Sequence, residues 1–410
     1  MKIQVPKNVK LIINILESNG YEAYAVGGCV RDAVLGREPN DWDITTSAMP
    51  EDVKRIFHKT IDTGIKHGTI TVMIEKTGYE VTTYRIDGEY EDGRHPKQVE
   101  FTGNLIEDLK RRDFTINAMA YNDKNGIVDE FDGIGDLQRG VIKCVGNPVN
   151  RFNEDALRIL RAVRFAAVLD FAIETQTEEA IRNLAENLQK ISKERIQAEL
   201  EKLVLSTHPE KLLIAQETGI TKVIFEEIDR LHQEGLLADT LQLVCSMPKD
   251  HYLRWAALLI HTGREQAAAI LKGFKFDNKT INVVSRIVEA AKRELPKSRA
   301  DVRRDIYEIG EDIYEQYLEF MNVYLTHREV QLENSYGYER MKQEYQDILE
   351  SGECISLKGL AVNGSDLIEL GVERGEQVGK VLLMLLYKVL ENENLNQKEI
   401  LIDIFTNTHS

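Results

Sequence analysis

Hydrophobic and polar positions follow the two-residue period of β-strands in part of the first 150 residues. Apolar side chains alternate with polar ones in two short runs: Ile70, Val72 and Ile74, and then Val81 and Thr83. Alternation of this kind places one face of a strand in a core and the other face in solvent. We expect two strands here, joined by a turn at Thr77-Gly78.

Beyond residue 150 the apolar positions follow the period of an α-helix. They recur at steps of three and four residues: Leu157, Leu160, Val163 and Ala167. Thr175, followed by Glu178, is typical of a capping box that opens the next helix. Fifteen of the 27 glycines precede residue 150. The pattern therefore predicts an α+β head, with a small mixed sheet and helices, followed by an elongated all-α remainder.

The composition restricts the kind of partner. The chain has 410 residues, enough for two to three domains of about 150 residues each. Lys and Arg number 52 and Asp and Glu 68, a formal net charge of −16, which excludes a uniformly basic surface for nucleic acid. A polyanionic partner must therefore be met by a local basic region or by metal ions.

Cysteine spacing and hydropathy indicate the cellular compartment. The 4 cysteines lie far apart and form no CxxC pair, which favours a reduced cytosolic chain over a zinc site. No apolar run approaches the roughly 18 residues of a membrane span. The N-terminal apolar patch is too short and too amphipathic for a signal peptide. We therefore expect a soluble, cytoplasmic protein.

A glycine pair follows the first apolar run of the head. The sequence from Tyr24 to Asp32 (YAVGGCVRD) is typical of a strand, a tight turn and a helix. Without Cβ atoms the backbone at Gly27-Gly28 can approach a triphosphate closely, and a helix start offers N–H donors there. A plain tight turn is the commoner meaning of a glycine pair, so this feature alone does not indicate a function.

Two acidic residues, Asp41 and Asp43, follow on either side of Trp42. If this segment is a strand, the two carboxylates project from one face and repel each other unless a cation neutralises them. Oxygen-only ligands favour Mg²⁺, and two such ions can activate an attacking hydroxyl and stabilise a departing pyrophosphate. We expect Glu80, in the second predicted strand, to be a third carboxylate here. A solvated acidic turn and an exposed strand glutamate are the alternatives.

Five short motifs, in this order, carry a resemblance to a known family. They are residues 24–46 (YAVGGCVRDAVLGREPNDWDITT), 111–118 (RRDFTINA), 131–137 (FDGIGDL), 154–158 (EDALR) and 192–196 (SKERI). Together they resemble the DNA polymerase β-type nucleotidyltransferases of class II, the branch that contains bacterial tRNA CCA-adding enzymes and poly(A) polymerases. The resemblance implies a polymerase β-like head in which Asp41 and Asp43 hold Mg²⁺ and act, with Glu80, in catalysis.

The resemblance also implies a set of nucleotide-binding residues: Gly28, Arg31, Arg112, Asp155, Arg158, Arg161 and Arg164. The guanidinium of Arg112 is suited to clamp a phosphate or a ribose as a fixed fork of donors. Asp113 and Asn117 either cap a helix or hold the ribose hydroxyl. A solvated arginine is the alternative for Arg164 in particular.

Asp155 and Arg158 are three residues apart and therefore adjacent on a predicted helix that begins near Asn153. An ion pair within the helix, worth about 0.3–0.5 kcal/mol, is one interpretation. The other is a base-reading edge, because cytosine and adenine both offer an amino donor to Asp155 beside a ring nitrogen that accepts from Arg158. Guanine and uracil would leave groups unpaired, at about 1–3 kcal/mol each. Class II CCA-adding enzymes assign this role to the matching pair, and the resemblance implies it here.

Two further segments resemble parts of CCA-adding enzymes. Residues 85–97 (RIDGEYEDGRHPK) are polar and not patterned as strand or helix, so we expect a mobile surface loop, like the flexible loop of complete CCA adders. Residues 362–367 (VNGSDL), with Gly371, Gly375 and Gly379 before a Leu-rich helix, resemble the tail of Firmicute-type enzymes. That resemblance implies contact with the elbow of tRNA; helix packing without RNA contact is the alternative.

The leading hypothesis is an enzyme that adds CCA to the 3′ end of tRNA from CTP and ATP without a template, by Mg²⁺-dependent in-line transfer that releases pyrophosphate. A poly(A) polymerase, a CC-only or A-only tRNA nucleotidyltransferase and a non-catalytic RNA-binding relative are the alternatives. We expect four parts: a catalytic head (residues 1–145), a nucleotide-selecting neck (146–206), a helical body (207–325) and a tRNA-binding tail (326–410). The oligomeric state stays open, with a homodimer as one alternative.

Overall fold

A computed structural model describes residues 2–88, 99–328 and 332–409 of the chain. The chain divides into two compact units, Met1–Ala238 and Asp239–Ser410. Within the described ranges every strand belongs to the first unit, which confirms a mixed head followed by a helical remainder. The finer division into four parts stays a prediction. None of the described helices is long and apolar enough to cross a membrane.

The strands of the first unit are short. They are β1 (Ala23–Val26), β2 (Ile44–Thr46), β3 (Thr60–Gly64), β4 (Thr69–Ile74), β5 (Thr77–Thr83), β6 (Arg85–Asp87), β7 (Val99–Phe101), β8 (Ala120–Asn122), β9 (Gly126–Val128), β10 (Val141–Ile142) and β11 (Ala172–Ile173). Seven of them form one sheet in the order β3-β4-β5-β2-β1-β8-β9. Neighbours in this sheet are antiparallel except β2 and β5, which are parallel. This is the small mixed sheet that the sequence predicted.

Helices surround this sheet and continue through the first unit. They are α1 (Lys7–Ser18), α2 (Gly28–Val34), α3 (Pro50–Ile56), α4 (Leu105–Lys110), α5 (Gly133–Arg139), α6 (Pro148–Glu154), α7 (Leu157–Leu169), α8 (Thr175–Leu184), α9 (Lys193–Val204), α10 (Leu212–Glu217), α11 (Ile220–Ile224) and α12 (Glu226–Gln233). Helix α7 contains all four of the predicted apolar positions from Leu157 to Ala167, and its residues Leu160 and Val163 are fully buried.

The helices of the second unit follow α13 (Leu237–Ser246), which includes the boundary between the units. They are α14 (His251–Leu258), α15 (Arg264–Gly273), α16 (Asn278–Ala290), α17 (Arg299–Ile309), α18 (Tyr314–His327), α19 (Leu332–Ser351), α20 (Gly364–Glu369), α21 (Glu376–Glu391) and α22 (Lys398–His409). Their amphipathic faces bury apolar side chains such as Leu385, Leu386 and Val389 of α21, so this unit needs no sheet for its core.

The alternation in the head has the predicted consequence. Ile70 and Val72 of β4 are fully buried, as is Val81 of β5, which lies opposite Ile70 in the antiparallel ladder. Ile44 of the neighbouring β2 is buried with them and pairs with Val81 in parallel register. These apolar side chains fix the register of the three strands, because a slip of one residue would turn them all toward solvent.

The turn between β4 and β5 does not lie at the predicted Thr77-Gly78. The last residue of β4 pairs with the first residue of β5, so the turn is Glu75-Lys76, and Glu75 has a φ of 55°. Two-residue hairpin turns require such left-handed backbone. Gly78 lies inside β5 instead, where a Cβ atom would stand 2.7 Å from Cγ2 of Thr71. The glycine permits close strand packing and does not form the turn.

Two other local predictions need correction. Helix α8 begins at Thr175, but the side chain of Glu174 caps it by accepting the N–H of Thr177 at 2.8 Å, so the capping box with Thr175 as cap is wrong. Within the segment predicted as a loop, Arg85–Asp87 forms β6 and pairs with β7. A three-residue strand is too short to show a period, which is why the sequence did not indicate it. The rest of that segment, from residue 89, lies outside the described residues.

The C-terminal motif folds as two helices with a turn between them. Asn363 and Asp366 form a reciprocal capping box at the start of α20. Gly375, with a φ of 101°, precedes α21, whereas Gly379 lies inside that helix and not before it. The expected contact of this segment with the tRNA elbow stays a prediction.

A buried carboxylate in the second unit makes its stability depend on pH. Only 14% of the Asp305 side chain is exposed, and burial raises its pKa from 3.8 to about 6, although the guanidinium of Arg293 lies 3.6 Å away. The folded state therefore favours the protonated acid, and this contribution to stability is lost as the pH rises from 3.8 to about 6. We expect Asp305→Asn to raise the free energy of unfolding by up to roughly 3 kcal/mol above pH 6, since each pKa unit is worth about 1.4 kcal/mol.

Urea unfolding of the parent and of Asp305→Asn at a series of pH values measures this effect. The difference between the two proteins should grow between about pH 4 and pH 6 and stay constant above that. Asp301, on the same helix, is a control of opposite sign, because its hydrogen bond from Ser298 lowers its pKa. Asp301→Asn should therefore lower stability at neutral pH. A difference for Asp305→Asn that does not change with pH would contradict the prediction.

Candidate active site

The three predicted catalytic acids line one cavity of about 1170 Å³ in the first unit: Asp41, Asp43 and Glu80. Strand β2 begins at Ile44, so the expectation that both aspartates lie within a strand is wrong. The backbone nevertheless stays close to the sheet, because the N–H of Val26 in β1 donates to the C=O of Asp43 at 3.0 Å. The acids are thus held directly beside the end of β1, where the glycine turn begins.

Negative charges in this cavity raise the pKa of two of its carboxyl groups, Glu80 and Asp43. The pKa of Glu80 is raised first by burial and then by the negative charges of Asp43 and Asp41. The pKa of Asp43 is also raised by burial and by Asp41, while the guanidinium of Arg112 lowers it. The side chain of Asp43 is exposed at the cavity, although the protein around it still removes part of its hydration. A bound divalent cation would relieve this repulsion.

The carboxylates of this cavity suit a cation that takes only some of its ligands from the protein. Asp41 and Asp43 offer oxygen ligands alone, which hard cations prefer. Among the described residues no three His, Cys, Asp or Glu side chains converge closely enough to form a complete metal cage. Mg²⁺ usually keeps several waters and binds substrate phosphate, so two carboxylates are a sufficient protein contribution. The residues present therefore fit Mg²⁺ with Asp41 and Asp43 as ligands.

The glycine turn between β1 and α2 makes room for an arginine. Gly27 has φ 82° and ψ −131°, a conformation that is essentially restricted to glycine. A Cβ atom there would lie 2.8 Å from Nη1 of Arg112. Gly28 is the first residue of α2, and its Cβ would meet only the guanidinium of Arg31, at an ordinary 3.6 Å. Gly27, which was not among the predicted site residues, is therefore the more constrained of the pair.

We expect Gly27→Ala to weaken binding of CTP, the predicted substrate, by displacing Arg112. Loss of one hydrogen bond to a charged phosphate corresponds to about 1.5 kcal/mol, roughly a tenfold rise in dissociation constant. The backbone change itself costs about 1–3 kcal/mol of stability. Gly20→Ala is the matched control, because Gly20 also has a positive φ, 88°, but no atom lies within 4 Å of its Cβ position. Calorimetric titration with CTP should separate the two variants; equal affinities would contradict the prediction.

The charges of two carboxylates, Asp108 and Asp43, act on the guanidinium of Arg112. Its Nη2 is 3.7 Å from Oδ2 of Asp108, and its buried Nε has no hydrogen-bond partner among the described residues. Burial lowers its pKa, and the charges of Asp108 and Asp43 oppose that shift. Asp108 also accepts from Arg111, at 2.9 and 2.7 Å, and from the hydroxyl of Thr45 at 3.1 Å. This buried aspartate therefore holds both arginines of the second motif.

A hydrogen-bonded chain joins α2 to α7. Arg31 donates to Oδ1 of Asn117 at 2.7 Å, and Nδ2 of Asn117 donates to Asp113 at 3.1 Å. Arg161 donates twice to the other oxygen of Asp113, at 2.9 and 2.6 Å. Although burial opposes it, these donors hold the pKa of Asp113 well below its usual range. Asp113 and Asn117 bind each other and do not cap a helix, so that alternative is wrong; contact with a ribose stays a prediction.

Three predicted nucleotide-binding arginines converge on the ring of Phe165. The guanidinium carbons of Arg164, Arg31 and Arg161 lie 3.5, 5.1 and 5.4 Å from the ring centroid, within the range of cation–π contacts. Glu199 of α9 accepts from Arg164 at 2.8 Å and from Arg161 at 3.5 Å. Only 11% of the Arg164 side chain is exposed, so a solvated arginine is wrong. Arg161, at 32%, is the more accessible of these two for a ligand.

Asp155 lies at a break between two helices. Helix α6 ends at Glu154 and α7 begins at Leu157, so the single helix predicted to begin near Asn153 is wrong. One oxygen of Asp155 accepts the N–H of Leu157 at 3.0 Å. Arg195 of α9 donates to both oxygens, at 2.7 and 3.3 Å. The carboxylate is therefore oriented by the first N–H of α7 and by a side chain of α9.

Arg158 is held by other partners. Its Nη1 donates to Glu154 at 2.7 Å and to the C=O of Arg151 at 3.2 Å, and its Nη2 donates to the C=O of Arg111 at 3.0 Å. An ion pair between Asp155 and Arg158, the alternative interpretation, is therefore not supported. The two side chains are fixed separately, which is what a base-reading edge requires.

Several residues that hold the site together were not among the predicted site residues. Arg195 lies in the fifth motif and Glu154 in the fourth, so the motifs marked both without assigning their contacts. Asp108, Phe165 and Glu199 carry no signal of their own, because an acid or an aromatic ring on a helix is common. Their contacts come from residues far away in the chain, and no local pattern reports such contacts.

Three family profiles match the chain. The Poly A polymerase head domain matches residues 23–143, the RNA and SrmB- binding site of polymerase A matches 170–231, and tRNA nucleotidyltransferase domain 2 matches 247–405. The first match begins with β1 and includes the glycine turn and all three acids of the cavity. Fold and site therefore define a nucleotidyltransferase with a poly(A) polymerase-type head.

Similarity over the whole chain narrows this class. The CCA-adding enzyme of Limosilactobacillus fermentum is 40% identical over 400 residues, 95% of this chain and 94% of that enzyme, and that of Lactiplantibacillus plantarum is 37% identical over 96% and 94%. The crystal structure of Bacillus stearothermophilus CCA-adding enzyme in complex with CTP matches with a TM-score of 0.77 at 33% identity, covering 98% and 96%. The chain belongs to the family of CCA-adding enzymes, which confirms the predicted family.

Proposed function

We propose that this enzyme adds CCA to the 3′ end of tRNA from CTP and ATP, without a nucleic-acid template. The 3′-hydroxyl of tRNA attacks the α-phosphate of the nucleotide in line, and pyrophosphate leaves. The observation that carries the proposal is the pair Asp155 and Arg158, each held by separate partners. The CTP bound to the Bacillus stearothermophilus enzyme supports one of the two proposed nucleotides.

Asp41 and Asp43 would hold Mg²⁺, with Glu80 as a third carboxylate in the same cavity. When bound, the ion would supply activation of the attacking hydroxyl and neutralisation of the departing charge. Arg112, whose charge acts on Asp43, would meet a phosphate with a planar fork of donors. Because Asp108 already holds the guanidinium of Arg112 by an ion pair, little reorganisation of that arginine is needed when the nucleotide binds.

Selection of cytosine and adenine would follow from the chemistry of the held pair. A carboxylate has about four lone-pair positions, and Asp155 receives three hydrogen bonds from Arg195 and Leu157. An amino group of cytosine or adenine can therefore still donate to it, while Arg158 donates to the ring nitrogen. The keto oxygen of uracil or guanine would face the carboxylate with no proton to share, and this repulsion rejects both.

The cytoplasm is the proposed compartment. None of the four cysteines forms a disulfide bond within the part of the chain that the structure describes: Cys29, Cys144, Cys245 and Cys354. Burial raises the pKa of Cys29 to about 11, so this thiol stays protonated and unreactive. Free structural thiols agree with a reducing compartment, where tRNA is also found.

Primer extension with purified protein tests the proposal. The substrate is tRNA that ends at the discriminator base, with Mg²⁺ and with CTP and ATP singly and together. Growth by three nucleotides that then stops is the expected result. Unlimited addition of adenylate would instead indicate a poly(A) polymerase, and growth by two nucleotides with ATP ignored would indicate a CC-adder. Omission of Mg²⁺ in the presence of a chelator should stop all growth.

A further inference from the structure

The cavity of the catalytic acids is separate from the predicted nucleotide-binding residues. It is lined by three segments, from residues 2–6, 33–43 and 77–80. Within the part of the chain that the structure describes, none of the predicted nucleotide-binding residues lines it: Gly28, Arg31, Arg112, Asp155, Arg158, Arg161 and Arg164. The acids Asp41 and Asp43 therefore have a large open space on a side that the nucleotide-selecting residues do not reach.

An in-line transfer needs such a second space. The attacking hydroxyl must approach the α-phosphate opposite the leaving pyrophosphate, so the acceptor strand and the pyrophosphate lie on opposite sides of the α-phosphate. If the nucleotide contacts Arg112 and the pair Asp155 and Arg158, the acceptor strand must come from the other side. This step rests on the proposed function.

The cavity offers an aromatic surface at the required place. Trp42 lies between the two acids in the chain, is half-buried, and lines the same cavity. The segment is not a regular strand, so a side chain between the aspartates is not forced to the opposite face. Proteins that bind unpaired RNA commonly stack its bases on aromatic side chains, and any base can stack.

Exposed cations stand around the same cavity. Lys2 and Arg37 both line it and are both exposed. Each is suited to contact a backbone phosphate of a strand that enters the cavity. An unpaired strand with one base stacked and its phosphates near these cations would present its terminal hydroxyl near Asp41 and Asp43.

We propose that Trp42 is a stacking platform for the terminal unpaired base of the acceptor RNA. The ligand is the single-stranded 3′ end of tRNA, and the site is the part of the cavity next to the acids. A packing role for Trp42, without RNA contact, is the competing explanation. The two explanations differ in whether the environment of the indole ring changes when RNA binds.

Tryptophan fluorescence reads this contact directly. The chain has 2 tryptophans, and the other, Trp255, is fully buried in α14 of the second unit. We expect tRNA ending at the discriminator base, with Mg²⁺ and no nucleotide, to quench the emission. Trp42→Phe should abolish this quenching and Trp255→Phe should retain it. An acceptor-stem duplex without an unpaired 3′ nucleotide should quench little. Equal quenching in Trp42→Phe, or by the blunt duplex, would overturn the proposal.

Steady-state kinetics gives a second readout. Trp42→Ala should raise KM for tRNA about tenfold and leave KM for CTP unchanged, since stacking of one base is lost. Trp42→Phe, which keeps an aromatic face, should lie close to the parent. An unchanged KM for tRNA in Trp42→Ala, or a parallel rise for CTP, would refute the platform. Failure of the parent to extend tRNA at all would refute the proposed function instead, so the two failures are distinct.

Discussion

Asp43→Asn will lower the rate of CTP incorporation by at least about a thousandfold, equivalent to roughly 4 kcal/mol of transition-state stabilisation. Asparagine has the same shape but lacks the charge that would hold Mg²⁺, so the hydroxyl is no longer activated. Asp41→Asn should behave in the same way. Single-turnover extension of tRNA at saturating CTP measures the effect on the chemical step.

The stability of these variants distinguishes a catalytic acid from a structural one. Because the charge of Asp41 raises the pKa of Asp43, and both charges raise the pKa of Glu80, removing one charge should leave the melting temperature unchanged or raise it. Binding of tRNA, measured by gel shift, should persist. Asp62→Asn is the matched control, since Asp62 on β3 is half exposed and forms an ion pair with Lys54 on the surface. If Asp41→Asn or Asp43→Asn retained more than a tenth of parental activity, the proposed metal site would be wrong.

Asp155→Asn will reduce discrimination between CTP and UTP by about 5- to 150-fold, the range that corresponds to 1–3 kcal/mol. The amide can accept the N–H of Leu157, which the carboxylate accepts at 3.0 Å, so the start of α7 is kept. It can also donate, and uracil then finds a partner for its keto oxygen. Competition between labelled CTP and UTP during extension measures the ratio of kcat/KM values.

Asp155→Ala should reduce discrimination between nucleotides more strongly than Asp155→Asn, and it should also lower the stability of the fold. The variant removes the carboxylate that accepts hydrogen bonds from Arg195 and from the N–H of Leu157 at the start of α7. The free energy of unfolding should therefore fall by about 1 kcal/mol or more. Asp170→Asn, at the other end of α7, is the control, because that acid is 57% exposed and its φ of 59° is tolerated by asparagine. If Asp155→Ala rejected UTP and GTP as well as the parent does, this account of base selection would have to be abandoned.

The predicted elements that proved correct share one property: each is signalled within about a dozen consecutive residues. The alternation at Ile70 and Val72 and the three- and four-residue steps along α7 reflect burial of one face, which is a local matter. The errors occurred where one residue had two plausible uses. Gly78 was taken for a turn and proved to permit close strand packing, and Thr175 was taken for a cap although Glu174 provides it.

The residues of the candidate site could be predicted from the sequence, but the contacts between them could not. The motifs marked Asp41, Asp43 and Asp155, and the structure brings the first two together in one cavity with Glu80. The motifs did not show which side chain holds which. Asp155 binds Arg195, which lies 40 residues along the chain. Spacing within one motif had suggested Arg158 as its partner, because neighbours on a helix are the only contacts that a local pattern can indicate.

What the sequence by itself determined is therefore the set of elements, the family and the residues that carry charge. These depend on side-chain period and on motif content, both of which are written in consecutive residues. Only the tertiary structure decided that Gly27 makes room for Arg112, that Asp108 and Glu199 neutralise the buried arginines, and that Trp42 lines an open cavity. Buried charges need partners of opposite sign, and the fold supplies them from segments that are distant in sequence.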